Sequence, residues 1–222
     1  MNKLEQNIWP LPQRRELVGE RVTLEPLTVG HAELLWAEVS AHPNSFNYLR
    51  YGPFKTKADF IELLKDISSR TDQPFWAVVP SGRKPLGWIS ICDIYQNDSS
   101  IEIGSIWFSP SMQGTRGGRE AIFILMSECM DNLGYERLVW RCHAENIASC
   151  KAAKNLGFKH EGIWRNAVLI NGWQRDVSWF SIIKKEWPLC RSVLVKWLSA
   201  ENFDSGGKQN RSISELRSNE FQ

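Results

Sequence analysis

Two apolar spacings, one of strands and one of helices, succeed each other along the chain. Val22 to Pro26 alternates apolar and polar residues, as a short half-buried strand does. Thr28 offers an N-cap to a helix over Ala32 to Val39 that carries Leu34 and Leu35. A loop from His42 to Lys55 follows, rich in Pro, Asn, Gly and aromatic residues. Thr56 then caps a second helix whose apolar stripe is Phe60, Ile61, Leu63, Leu64 and Ile67. Phe75 to Val79, Leu86 to Ile94 and Ser100 to Phe108 are strand-like runs, the first two separated by a Pro-Ser-Gly turn. From Arg119 the period changes. Ile122, Leu125, Met126, Cys129, Met130 and Leu133 recur at helical spacing, and Gly134 stops that helix.

Arg137 to Cys142 predicts another strand, and Asn146 caps a short helix, Ile147 to Leu156, ended by Gly157. Phe158 to Ile170 and Trp173 to Ile183 read as strands joined by Asn171-Gly172, a strong two-residue hairpin signal. An amphipathic helix follows over about Glu186 to Leu198. The polar stretch Ser199 to Gln222, with Gly206-Gly207 and mixed charges, is expected to be disordered. This order is α/β (α+β) with a mixed sheet, neither a simple Rossmann alternation nor a barrel.

Length and charge narrow the field. The 222 residues, 42% of them hydrophobic, suit one packed domain with extensions. The net charge of +2 comes from Lys and Arg scattered among Asp and Glu, so no basic face points to nucleic acid. No apolar run approaches the roughly 20 residues of a membrane span, and Met1 to Leu11 does not resemble a signal peptide, so a cytoplasmic protein is expected. The five cysteines form no C-x-x-C pair and read as reduced, mostly buried thiols. The four histidines show no ligand spacing with them, so no metal is expected. Of eleven tryptophans, most, Trp88 and Trp107 among them, read as core.

The chemistry is concentrated between Ile101 and Ala121. There Gln113, Gly114, Thr115, Arg116, Gly117 and Gly118 connect a strand to a helix beginning near Arg119. A glycine-rich turn opening a helix gathers backbone N–H groups and the positive end of the helix dipole, which suits a pyrophosphate. Arg116 and Arg119 are available for further phosphate contact. Taken alone, the loop also fits a tight turn with no ligand.

A second segment accompanies it: Asn146, Ser149 and the close Leu156-Gly157-Phe158. Together the two resemble the GNAT N-acetyltransferase superfamily, whose turn reads Gln/Arg-x-x-Gly-x-Gly/Ala, often followed by Glu-Ala. Gln113, Gly118, Glu120 and Ala121 match. Arg116 stands where the family has Gly, and the expectation is that Gly117 takes the unusual dihedral instead. The branch with Gln-x-Thr in this loop resembles the ribosomal-protein N-terminal (alanine/serine) acetyltransferases. The resemblance runs from Leu17 to Trp187. It implies an N-terminal extension over 1–16, an N-acetyltransferase domain over 17–187, and a C-terminal helix and tail over 188–222.

The resemblance further implies a mostly antiparallel sheet, flanked by helices and split into a V between the strands ending at Phe108 and near Cys142. The acetyl-CoA pantetheine arm would lie there, against the backbone of Ile106, Trp107 and Phe108. Its pyrophosphate would rest on Gln113 to Arg119, and Asn146 would hydrogen-bond the arm. Ser149 becomes the acid for the departing thiolate, and Glu102, beside the split, the base acting through water. The carboxylate of the ribosomal-protein enzymes falls on Val168 here, which cannot act as a base; Asp176 is an alternative. Asn44, Phe46 and Tyr48, with Asp176, suit an acceptor pocket. Cys142 and His143, adjacent on a strand, face opposite ways and do not suit a covalent route. The expectation is therefore direct acetyl transfer to a primary amine, either a protein N-terminus or a small molecule, in a monomer or a homodimer. The alternative is a non-catalytic coenzyme A sensor or scaffold.

Overall fold

The computed structural model describes residues 8–170 and 172–219, and Thr56 and Asn146 carry the helix caps offered by the sequence. In α2 (Lys57–Ser69) the Thr56 hydroxyl accepts from the Asp59 N–H, while the Asp59 carboxylate accepts from the Thr56 N–H. Thr115 caps α3 (Arg116–Ser127) by accepting from the Gly118 N–H at 3.0 Å. That cap starts the helix three residues before Arg119, correcting the expected boundary. Asn146 caps α4 (Ile147–Leu156) through the Ser149 N–H at 3.0 Å, and left-handed Gly157 ends it. Thr28 does not cap α1 (Ala32–Ala41) as expected: it precedes a 3-10 turn, Val29–His31, makes no side-chain cap bond to it, and His31 is the residue before the helix.

Eight strands form one sheet: β1 (Leu17–Val18), β2 (Val22–Pro26), β3 (Phe75–Pro80), β4 (Gly87–Tyr95), β5 (Ser100–Phe108), β6 (Arg137–His143), β7 (Lys159–Ile170) and β8 (Trp173–Ile183). Their order is β1-β2-β3-β4-β5-β6-β8-β7. Every neighbouring pair is antiparallel except β5 with β6. The mixed, mostly antiparallel sheet is therefore as expected. Ile170 pairs with Trp173 across the final hairpin, and Gly172 sits at φ +81. Asn171, the other residue of that turn signal, lies outside the described residues.

Strand alternation sends side chains into two cores. On one face α3, α4 and α5 (Trp187–Leu198) cover Ile101, Ile103, Leu138 and Trp140; on the other α1 and α2 cover Trp88 and Trp107. In β5 the alternation reverses once. Trp107 and Gly104 pair with Trp88 and Ser90, so β5 carries an extra residue there, and Ser105 takes φ +49. Ile101 and Ile103 thus face the first core, whereas Trp107 faces the second.

Residues 199–219 are not an unstructured tail, and 220–222 of the expected tail lie outside the described residues. Polar composition hides Ile213 and Leu216, both buried on α6 (Ile213–Asn219) against α5. Asn202 is buried as well, and its amide donates to the carbonyls of Trp197 and Arg211. A chain ending at Ser199 is expected to lose on the order of 3 kcal/mol or more, from two buried aliphatic side chains alone. Urea denaturation of the truncated chain checks this; an unchanged midpoint would count against packing of the segment.

Candidate functional site

The parallel pairing of β5 with β6 lasts only three residues: Ser100 with Arg137, Ile101 with Leu138, and Glu102 with Val139. Beyond Glu102 the bulged β5 stays with β4, while Trp140 to His143 stay with β8. The two strands leave a V between them. Ile106, Trp107 and Phe108 form one arm and Trp140 to His143 the other. Backbone groups on the facing edges of the V can receive an extended chain as a third strand.

At the far end of β5 lies the glycine loop. The Gln113 side-chain amide donates to the Phe108 carbonyl at 2.9 Å, folding the loop back on the strand. Gly114 takes φ +71, which a side chain would oppose. Gly117 is instead helical, in the first turn of α3, so Gly114 rather than Gly117 supplies the left-handed residue. Gly118 has no room for a side chain, since a Cβ there would lie 2.6 Å from the Met112 carbonyl. A glycine-lined helix N-terminus of this kind suits a phosphate. Arg116 and Arg119 are not extended into the opening. Arg116 donates to the Leu198 carbonyl and covers the Phe203 ring, and Arg119 donates to the Gly114 carbonyl and covers the Trp197 ring.

Different chemistry lies on the two faces of the V. On the α4 side, Ser149 Oγ accepts from the Trp140 indole N–H at 3.0 Å, which leaves the hydroxyl proton available to donate. Asn146 stands one turn earlier with its carbonyl oxygen used in the cap. Cys142 lies on this face, its sulfur 3.5 Å from that of Cys150.

On the opposite face Glu102, 5% exposed, accepts from the Arg141 Nε–H, and Arg141 also pairs with Asp93 and covers the Trp179 ring. Burial pushes the Glu102 carboxyl up to about 8, against the hydrogen bond from Cys92 and the charge of Arg50. Cys92, Asp93 and Glu102 are close enough to share a metal ion, but the Arg141 guanidinium already stands against both carboxylates. Arg141 was not singled out from the sequence. Its signal is parity: it lies two residues beyond Val139, the partner of Glu102, and so shares its face.

Next to Arg141 along β6, His143 borders a cleft of about 480 Å³ that also has Asn47, Tyr48, Glu145, Arg175 and Asp176 in its walls. The ring centroids of Tyr48 and His143 are 5.5 Å apart. His143 Nδ1 accepts from the Glu145 N–H at 3.0 Å, which places the proton of the neutral ring on Nε2. Asp176 accepts from the Asn166 N–H at 2.8 Å and adjoins a second cavity of about 770 Å³. Of the residues expected to form an acceptor pocket, Tyr48 and Asp176 line this cleft. Asn44 is exposed in the same loop, outside the lining. Phe46 is corrected outright: it is 2% exposed, with its ring stacked on Trp107 at 5.2 Å. It supports the loop from within.

The slot between the diverging strands thus ends at a glycine-built helix start. A family model described as the Acetyltransferase (GNAT) domain matches residues 21–159. The chain belongs to the GNAT acetyltransferases. It is similar to a GCN5-related N-acetyltransferase of Brucella melitensis, solved by crystallography, with TM-score 0.94 and 36% identity over 96% of this chain and 99% of that one. The N-acetyltransferase p20 of Bacillus licheniformis, itself uncharacterized, is 26% identical over 175 residues, 77% of this chain and 97% of its own. A Bacillus subtilis (strain 168) protein with the provisional name ribosomal N-acetyltransferase YdaF is 27% identical over 101 residues, 46% of this chain and 55% of its own. As in other GNAT enzymes, the reaction is acetyl transfer. Among the described residues no helix is long and apolar enough to cross a membrane.

Proposed function

We propose that the protein transfers acetyl from acetyl-CoA to a primary amine by direct attack within a ternary complex. The observation that carries this reading is the loss of β5–β6 pairing immediately after Glu102, which opens a slot with Glu102 on one face and Ser149 on the other. The thioester would sit in the slot, with the pyrophosphate on the Gln113–Arg119 turn and the amine entering from the cleft at Tyr48 and His143. Glu102 takes the amine proton, through water, as nitrogen attacks the carbonyl carbon. When the C–S bond breaks, Ser149 donates its hydroxyl proton to the departing thiolate and regains one from solvent, to which Glu102 releases the amine proton. Holding donor and amine together supplies much of the acceleration whichever group moves the proton. A lysine-type amine, with pKa of about 10.4, needs the base more than an α-amino group of about 7.7–8.0.

The acceptor is a protein N-terminus or a small amine. An open cleft walled by Tyr48, His143, Glu145 and Asp176 accommodates either. The provisional name of the Bacillus subtilis relative favours the first. Initial rates with peptides of varied N-termini and with small amines, followed by release of coenzyme A thiol, test the proposal. No thiol release with any amine, from a protein that binds acetyl-CoA, would refute it. Ser149→Ala is expected to lower kcat about 10²-fold with little change in either KM, because it removes a proton donor used only at the transition state. Near-normal kcat in that variant would remove Ser149 from the mechanism.

A further inference from the structure

Arg116, the residue that departs from the family glycine, has a structural partner that nothing in the donor loop accounts for. Its Nε donates to the Leu198 carbonyl at 2.9 Å, and its guanidinium carbon lies 4.5 Å from the centre of the Phe203 ring. Leu198 is the last residue of α5, so its carbonyl is one of those a helix end leaves unpaired. Arg116 is the first residue of α3. Its backbone therefore belongs to the helix start facing the slot, while its side chain caps the C-terminal end of α5. Arg119, one turn on, lies 4.5 Å over the Trp197 ring and donates to the Gly114 carbonyl inside the loop.

The same C-terminal segment reaches the other side of the slot. Arg217 on α6 donates to the carbonyls of Lys154 and Asn155, at 3.1 and 2.9 Å, in the last turn of α4. The first turn of α4 carries Ser149, capped by Asn146. Phe203 and Arg217 of one segment thus touch both helices that flank the slot, beside the α5 carbonyl of Leu198.

We propose that residues 199–219 form part of the donor site and that Arg116 is a positioning residue, holding the Gln113–Arg119 loop in its coenzyme-binding shape from behind. This rests on the reading that the loop receives the pyrophosphate of acetyl-CoA. Side chains of the segment need not touch the donor. Their effect passes through Arg116 to the N–H groups of the first turn of α3. The segment so couples donor affinity to the packing of α5 and α6, which the glycine found elsewhere in the family at this position could not do.

The test begins with calorimetric titration of the full-length protein with coenzyme A. No binding by the wild type would overturn the donor-site reading itself, and this inference with it. With binding established, Arg116→Ala is expected to raise KM for acetyl-CoA about tenfold, the scale of a charged hydrogen bond plus a cation–π contact. Its kcat and acceptor KM should stay within about twofold. Phe203→Ala keeps the arginine charge and is expected to shift the same KM in the same direction. The double variant should be little worse than Arg116→Ala alone, since the two act as one unit. Arg116→Lys should fall between, because an ammonium lacks the planar fork that bonds and stacks at once. Full recovery in Arg116→Lys with no effect of Phe203→Ala would show that charge alone matters and would overturn the proposal. So would a fall in apparent kcat and thermal midpoint with KM for acetyl-CoA unchanged, which marks a stability effect.

Discussion

Glu102→Gln is expected to lower kcat/KM for acetyl transfer by about 10²–10³-fold, within the usual range for a positioned general base. Gln keeps the shape of the side chain and removes only its ability to take a proton. Coenzyme A affinity should be little changed, because Glu102 faces the acceptor side of the slot. The pH profile gives the sharper check. Burial holds the carboxyl up to about 8, so wild-type activity should rise with pH through a limb near that value. An α-amino acceptor titrates close by, at about 7.7–8.0, so the limb must be measured with a second acceptor of different basicity. A limb that stays in place with both acceptors and vanishes in Glu102→Gln belongs to the carboxyl. A limb that follows the amine, with normal turnover in the variant, would leave Glu102 as a buried structural acid.

The same shift has a consequence for stability. The folded protein keeps a proton on Glu102 that the unfolded chain releases between the ordinary carboxyl range and about 8. Stability contributed by that proton is therefore complete below the ordinary range and declines as pH rises through the window. Arg141, paired with Glu102 and Asp93, is the counter-charge that makes the ionised form tolerable in a buried position.

Much of this arrangement was legible in the residues and some was not. Thr56 and Asn146 announced helix starts because a cap is a local matter of one side chain and one N–H, whereas Thr115, inside the glycine loop, did not. The resemblance supplied the two donor segments. The sequence left open which face an aromatic residue takes: Phe46 and Tyr48 are two apart in one loop, yet the first is core and the second borders the cleft. Nor did composition reveal Ile213 and Leu216, a single i,i+3 pair diluted by polar neighbours. The reversal at Ser105 has no signal of its own, because it is imposed by pairing with β4. Arg141 becomes visible only once the register of β6 against β5 is known.

Adjacent glycines in the donor loop give the other large effect, with opposite outcomes expected at Gly117 and Gly118. A Cβ on Gly118 would meet the Met112 carbonyl at 2.6 Å, a backbone atom that cannot swing aside. Gly118→Val must therefore displace either the turn or the first coil of α3, and with it the Thr115 cap that the Gly118 N–H completes. Coenzyme A binding is expected to weaken by about 10²-fold or more, the scale of losing two charge-assisted N–H contacts to phosphate. At Gly117 the added Cβ would come within 3.2 Å of the Val22 side chain and 3.4 Å of the Met112 terminal methyl, flexible atoms that can yield. Gly117 is helical, so Ala there recovers part of the roughly 1 kcal/mol by which Gly disfavours a helix. Gly117→Ala should bind coenzyme A nearly as the wild type does, with an equal or higher thermal midpoint. Calorimetric titration of both variants decides the matter. Equal, mild losses would mean that close backbone approach at Gly118 does not shape the site. Strong loss at Gly118 alone would tie the donor loop to the 2.6 Å gap that only glycine leaves open.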